Sequence, residues 1–247
     1  MDRSMNIIIS GGGTGGHLYP ALAIGDEIMF RHPLANIHYV GSKFGIEKEV
    51  LPVKNVNHSL LSIRGFQRSL NLGSIGKNLL LPGRLIASIG KIKSLFDSLQ
   101  PDLVIGTGGY ACALPLREAI RIGMPTLIQE QNSYPGVTTR WFADKADKVC
   151  IAFEEAQSYI KKKCILAGNP VRKEIRSGNR EIGLSQFGFS PDKKTLFLFG
   201  GSQGSLALNQ AMDQMIQSFS ISDTQVIWQT GKTHYGHYRH HENELCK

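Results

Sequence analysis

His17 closes a run in which five of six residues are glycine, IISGGGTGGHLYPAL from Ile8 to Leu22. Glycines between a strand and a helix let backbone N–H groups approach an anion at the positive end of the helix dipole. An imidazole in the same place adds a group that exchanges protons near neutral pH. The run contains the spacing G-x-G-x-x-G at Gly11, Gly13 and Gly16, by itself a weak signal, read here as an anion cradle with a tight turn as the other reading. His17 is read as a base, with a helix-capping or loop-locking role as the other reading. A dinucleotide reading requires an acidic residue closing the second strand, about 20 residues on. Val40-Gly41-Ser42-Lys43 stands there without a carboxylate, so NAD is disfavoured, while Ser42 and Lys43 leave NADP open.

The same device recurs. IGTGGYACALP (Ile105 to Pro115) is a second glycine turn after a strand, and IQEQNSYPG (Ile128 to Gly136) puts Glu130, Gln131 and Asn132 directly after the next strand. In parallel sheets ligands collect at the carboxyl ends of the strands, so these segments converge on one edge. A third turn, GGSQGS (Gly200 to Ser205), opens a later helix. GKT at Gly231–Thr233 is no Walker A loop, because Val226 stands where the required glycine belongs. The histidines of HYGHYRHHE (His234, His237, His240, His241) offer metal ligands in principle but read as a solvated stretch, and no metal or cofactor is expected.

The elements that must carry these residues alternate between short β-branched runs and longer helical stretches. Strands are expected at 6–10, 37–40, 59–63, 103–106, 126–129, 149–152, 165–167, 195–199 and 225–228. Helices are expected at about 20–30, 71–99 with a break at Pro82, 114–122 and 138–142. That order argues for an α/β parallel sheet with helices on both faces, followed by the start of a second Rossmann-like unit. With 247 residues, 41% hydrophobic and 19% charged, the chain can build a proper core. A net charge of +8 favours an anionic partner: nucleic acid, a phosphorylated metabolite or an anionic membrane. The four scattered cysteines suit a reducing cytosol, the N-terminus lacks a signal-peptide pattern, and no stretch reaches the length of a membrane span. The segment around Ile75, Leu79, Leu80, Leu81, Arg84 and Leu85 mixes apolar residues with cations. It reads either as a core helix with a basic outer face or as an interfacial patch for anionic lipid.

Six motifs in order, G-G-G-T-G-G-H, I-R-G-F, G-T-G-G-Y, E-Q-N, G-N-P-V-R and G-G-S-Q-G-S, resemble the MurG family from Asn6 to about Gly231. The resemblance implies a GT-B glycosyltransferase with two Rossmann-like halves: residues 1–168 as the acceptor- and membrane-facing domain, and 169–247 as a linker with an incomplete UDP-sugar-binding domain. It implies inverting, metal-free transfer of N-acetylglucosamine from UDP-N-acetylglucosamine to lipid I, forming lipid II for peptidoglycan. It further implies a peripheral protein on the cytoplasmic face of the inner membrane, with no nucleic-acid partner. Carried over, His17 is the candidate base, Thr14, Gly15 and Gly16 face the donor sugar and diphosphate, Asn132 contacts the sugar, Arg172 pairs with phosphate, and Ser202 meets the diphosphate or its sugar. Family members run on beyond the length of this chain, so little transferase activity and weak UDP affinity are expected of the 247 residues alone. Two other readings stay open: a non-catalytic module for phosphorylated or lipid-linked ligands, and an NADP-dependent reductase.

Overall fold

The computed structural model describes residues 4–63, 81–201, 204–218 and 223–247. It divides into two compact units, Met1–Ile175 and Arg176–Lys247. In the first, strands β1 (Asn6–Gly11), β2 (Asn36–Ser42), β3 (His58–Leu61), β4 (Leu103–Gly108), β5 (Thr126–Glu130), β6 (Lys148–Ile151) and β7 (Ile165–Leu166) form one sheet in the order 3-2-1-4-5-6-7. Every pairing is parallel. β1 lies near the middle of this order, and its apolar run is buried on both faces. Ile8 packs with Val40, Val104 and Leu116 on one side, while Ile7 and Ile9 pack with Leu18, Leu22 and Tyr39 on the other.

The helices begin earlier than periodicity implies. Helix α1 (Gly15–Arg31) includes Gly15 and Gly16 in its first turn, and Pro20 lies inside it. After α2 (Glu47–Val53) and α3 (Leu81–Leu99), helix α4 (Tyr110–Arg121) likewise starts ahead of position 114 and contains Pro115. Pro82 sits in the first turn of α3, where a missing N–H costs no helical bond, so the expected break there is instead compatible with a helix start. Residues 71–80 of that expected helix lie outside the described residues. The short α5 (Val137–Phe142) matches expectation, and α6 (Lys173–Arg176) follows the G-N-P-V-R motif.

In the second unit, α7 (Arg180–Phe187) precedes two parallel strands, β8 (Lys194–Phe199) and β9 (Thr224–Gln229), joined through α8 (Leu206–Ser218). Helix α7 has no counterpart among the expected elements, yet its ends are marked: the Asn179 side chain accepts from Ile182 N–H at its start, and Gly188 is left-handed at its end. The histidine-rich stretch is not a loose solvated segment. It forms α9 (Tyr235–Tyr238) and a 3-10 turn (Arg239–His241). Tyr238 and Cys246 are buried with Met212, Val226 and Trp228, and Leu196 and Leu198 pack against them. Val226 and Trp228 N–H groups donate to the carbonyls of Leu245 (2.7 Å) and Lys247 (2.8 Å), so this segment covers the free edge of β9.

One polar tie joins β5 to the loop before β6. Asp147 Oδ2 accepts from Thr126 N (2.8 Å) and Thr126 Oγ1 (2.9 Å), while Asp147 N donates to Thr126 Oγ1 (3.0 Å). The Thr126 backbone N–H, then its hydroxyl, hold the Asp147 carboxyl below its ordinary range. A depressed folded-state pKa gives stability that is present above the unfolded value, about 4, and is lost as pH falls through the folded value. Wild type should therefore lose stability relative to Asp147→Asn as pH drops from about 5 to about 2, followed by urea unfolding at each pH. A constant difference across that window would remove Asp147 from the acid response.

Candidate functional site

Chain order reverses at β1, whose neighbours are β2 on one side and β4 on the other. The loops leaving β1 and β4 therefore open a crevice between them at the carboxyl edge of the sheet. Both are glycine turns, and they touch. Gly109 has φ +80°, and a Cβ there would overlap the carbonyl oxygen of Gly12. Gly12 N donates to Gly108 O at 3.2 Å, so the two turns are also hydrogen-bonded. The hydroxyl of Thr107, at the end of β4, donates to His17 O at 2.8 Å and ties β4 to the first turn of α1.

His17 is fixed by this arrangement. Its Nδ1 lies 3.0 Å from the Thr107 carbonyl oxygen and 3.1 Å from Gln131 Oε1. Both partners are acceptors, so Nδ1 carries the proton and, in the neutral ring, Nε2 keeps the lone pair. Gln131 is oriented in turn, because its Nε2 donates to Thr107 O (2.9 Å) and to Gln129 O (3.1 Å) and Oε1. His17 is half-buried and lines a cavity of about 130 Å³ with Gly108, Gly109, Tyr110 and the first turn of α5. Thr14, exposed at the N-cap of α1, makes no side-chain cap bond, and the first turn carries no carboxylate. That end of the helix thus presents Thr14, Gly15 and Gly16 with a positive field.

Asn132 is exposed at the same edge and is held by Glu130, which is 2% exposed. Glu130 Oε1 accepts from Asn132 N (3.0 Å) and Nδ2 (2.8 Å), and Oε2 accepts from Gly136 N (3.0 Å). Arg172, 40 residues later, stacks its guanidinium 4.5 Å from the ring of Tyr19 on α1. The sequence-derived residues His17, Thr14–Gly16, Asn132 and Arg172 are thus all placed around α1 and the ends of β4 and β5. Ser202 lies outside the described residues.

Of the residues that position this site, Glu130 and Gln131 belong to the polar triplet read from the sequence, whereas Thr107 and Glu47 were not singled out there. Thr107 and Glu130 act through their place at the ends of strands. Glu47 is fully buried beneath the first glycine turn: Oε1 accepts from Ser42 N at 2.9 Å, and any Cβ at Gly12 or Gly45 would overlap its carboxylate. A carboxylate does serve the end of β2, then, from a helix five residues further on. The Ser42 hydroxyl is spent on Ile63 O at 2.6 Å.

Beside the crevice, Tyr110 also borders a larger apolar cavity of about 580 Å³. Arg84, Leu85, Arg117 and Trp141 line it, and Trp141 is 63% exposed. Of the expected interfacial patch, Arg84 and Leu85 are therefore at this cavity, and Leu81 opens α3. Ile75, Leu79 and Leu80 lie outside the described residues. Among the described residues, no helix is long and apolar enough to cross a membrane, and the potential metal ligands that cluster do so in the second unit.

Two family models match the chain: the glycosyltransferase family 28 N-terminal domain over residues 7–151 and the family 28 C-terminal domain over residues 195–245. A Christiangramia forsetii protein named UDP-N-acetylglucosamine--N-acetylmuramyl-(pentapeptide) pyrophosphoryl-undecaprenol N-acetylglucosamine transferase is 40% identical over 250 residues, covering 100% of this chain and 67% of its own. The Bacillus subtilis protein of the same name is 40% identical over 232 residues, 94% of this chain and 63% of its own. The chain thus spans about two thirds of the length of these relatives. The crystal structure of Acinetobacter baumannii MurG superposes with a TM-score of 0.65 at 20% identity, over 96% of this chain and 64% of that one. The likeness supports a GT-B type α/β fold.

Glu130 is the keystone of the β5 edge, because three donors converge on one buried carboxylate. Glu130→Gln turns an amide NH₂ towards at least one of them and should cost about 1–3 kcal/mol in urea unfolding. Asn132→Ala, which removes only an exposed amide, should cost clearly less. An unchanged unfolding midpoint for Glu130→Gln would show that the carboxylate does not hold this loop.

Proposed function

The chain belongs to the MurG family of family 28 glycosyltransferases, and on that premise we propose that it takes part in transferring N-acetylglucosamine from UDP-N-acetylglucosamine to lipid I, giving lipid II. The observation that carries this reading is the tautomer of His17. A ring whose Nδ1–H is claimed by the Thr107 carbonyl offers Nε2 as a base at the switch point of the sheet. In the proposed step, Nε2 takes the proton of the acceptor hydroxyl while that oxygen attacks the anomeric carbon of the donor sugar. The bond to UDP breaks with its electron pair on the leaving diphosphate, and attack from the opposite face inverts the anomeric centre.

The charge on the departing diphosphate needs a preorganised positive field. Thr14, Gly15 and Gly16 at the start of α1 supply part of it, Arg172 supplies a full cation, and Ser202 is assigned a further contact by its motif alone. Asn132, braced by Glu130, is assigned to the sugar. Residues 1–168 would form the acceptor- and membrane-facing domain and 169–247 the linker and start of the UDP-sugar domain. Trp141 and Leu85, with Arg84 and Arg117 beside them, support docking on the surface of an anionic membrane, apolar groups in lipid and cations at the headgroups. This reading makes the protein peripheral on the cytoplasmic face of the inner membrane.

The chemistry is tested in a chain of the relatives' length, assayed with UDP-N-acetylglucosamine and a lipid I analogue. His17→Ala should lower kcat by about 10²-fold or more with the donor KM little changed, as expected for a lost base. Arg172→Ala should instead raise the Kd for UDP, since a charge-assisted contact is lost. Wild-type turnover in His17→Ala would leave that residue a structural role, and unchanged UDP affinity in Arg172→Ala would misplace the phosphate.

The membrane reading has its own check in vesicle flotation. Binding should be stronger to anionic than to neutral vesicles, fall at high salt, and weaken in Trp141→Ser and Arg84→Ser. Equal binding to both vesicle types would argue against the electrostatic part.

A further inference from the structure

The histidine-rich turn of the second unit sits against α8. Asp213 on that helix, and His240 and His241 on the 3-10 turn, place potential ligand atoms within 4.8 Å of one another. We propose that these three side chains form a binding site for a divalent transition ion, Zn²⁺ in the first instance, separate from the transfer chemistry. Imidazole nitrogen and carboxylate oxygen are the donors that such an ion selects, and three protein ligands leave a position for water.

The geometry is already close to a coordination shell. His241 Nε2 lies 2.6 Å from Asp213 Oδ1, a hydrogen bond that positions both atoms. An ion would replace the proton between them and open the pair to about 3.4 Å, the separation set by metal–ligand bonds of about 2.1 Å at a tetrahedral angle. The His240 and His241 rings lie 4.0 Å apart, so the second imidazole reaches the same point. His240 Nδ1 is bonded to the His237 carbonyl at 2.9 Å, which puts its proton on Nδ1 and leaves Nε2 free to ligate.

The supports around the ligands are those of an oriented shell. Gln217 Nε2 donates to Asp213 Oδ1 at 3.1 Å, Asn243 Nδ2 donates to His241 O at 3.0 Å, and the Trp228 ring lies 5.8 Å from that of His241. His241 and Asp213 side chains are 11% and 26% exposed, whereas His240 is exposed, so one ligand can swing inward while two stay fixed. An ion here would cross-link α8 to the segment that covers β9.

Calorimetric titration of the metal-stripped 247-residue chain with ZnCl₂ tests the site. One ion per chain should bind with micromolar affinity and raise the Tm, because only the folded unit holds the three ligands together. His240→Ala changes an exposed residue, and Asp213→Asn keeps the shape and a hydrogen bond. Each should weaken Zn²⁺ binding about tenfold or more with circular dichroism unchanged. His234→Ala, outside the cluster, should bind as wild type. Absence of saturable binding, wild-type affinity in Asp213→Asn, or equal loss in His234→Ala would each overturn the proposal. The last would mean that scattered histidines bind the ion.

Discussion

Two backbones share a space that admits no Cβ between them: the carbonyl of Gly12 lies against the α-carbon of Gly109. The positive φ of Gly109 turns the chain away just after β4, and its missing side chain lets the β1 loop close on it. From this contact the rest of the site follows. It brings the Thr107 carbonyl within reach of His17, and the Thr107 hydroxyl within reach of the first turn of α1. His17 thereby acquires one orientation and one tautomer from the backbone alone, with Gln131 as a second clamp. Any side chain at position 109 would separate the helix that carries the imidazole from the strand that aims it.

Two buried carboxylates brace the loops on either side. Glu47 fills the hollow that Gly12, Gly41 and Gly45 leave vacant and holds Ser42 N–H at the end of β2. Glu130 gathers three donors at the end of β5 and so sets the position of Asn132. Buried carboxylates are costly unless hydrogen-bonded, so Glu130 fixes the loop whose three donors it accepts from. Glu47 is held at Oε1 by Ser42 N–H, and its Oε2 has no hydrogen-bond partner among the described residues. The glycines are small because neighbouring side chains occupy their volume, as much as because a ligand must come near.

Much of the first unit was legible in its residues. Apolar runs such as Ile7–Ile9 mark strands buried on both faces, and the alternation with helices fixes the parallel order. Helix starts were misjudged at Gly15 and Tyr110, because glycine before proline reads as a loop until the sheet supplies packing for that first turn. Helix α2 is too short for periodicity, with only Glu47 and Leu51 buried. The polar Asn179 and left-handed Gly188 did mark α7, but in a segment whose apolar spacing is weak.

By itself the sequence determined the chemistry available and its edge of the sheet: His17 after a glycine turn, a second turn at Gly108 and Gly109, and the polar triplet Glu130 to Asn132 at the carboxyl end of β5. These are properties of spacing along one strand–turn–helix unit, where local geometry follows local residues. Only the tertiary structure decided which nitrogen of His17 carries the proton, because the acceptors come from residues 107 and 131, far along the chain. It alone brought Arg172 onto Tyr19, Glu47 beneath the first glycine turn, and Asp213 to within hydrogen-bond distance of His241. Such partners are 28 to more than 100 residues apart, and their meeting is set by strand order and helix packing, which no spacing along the chain encodes.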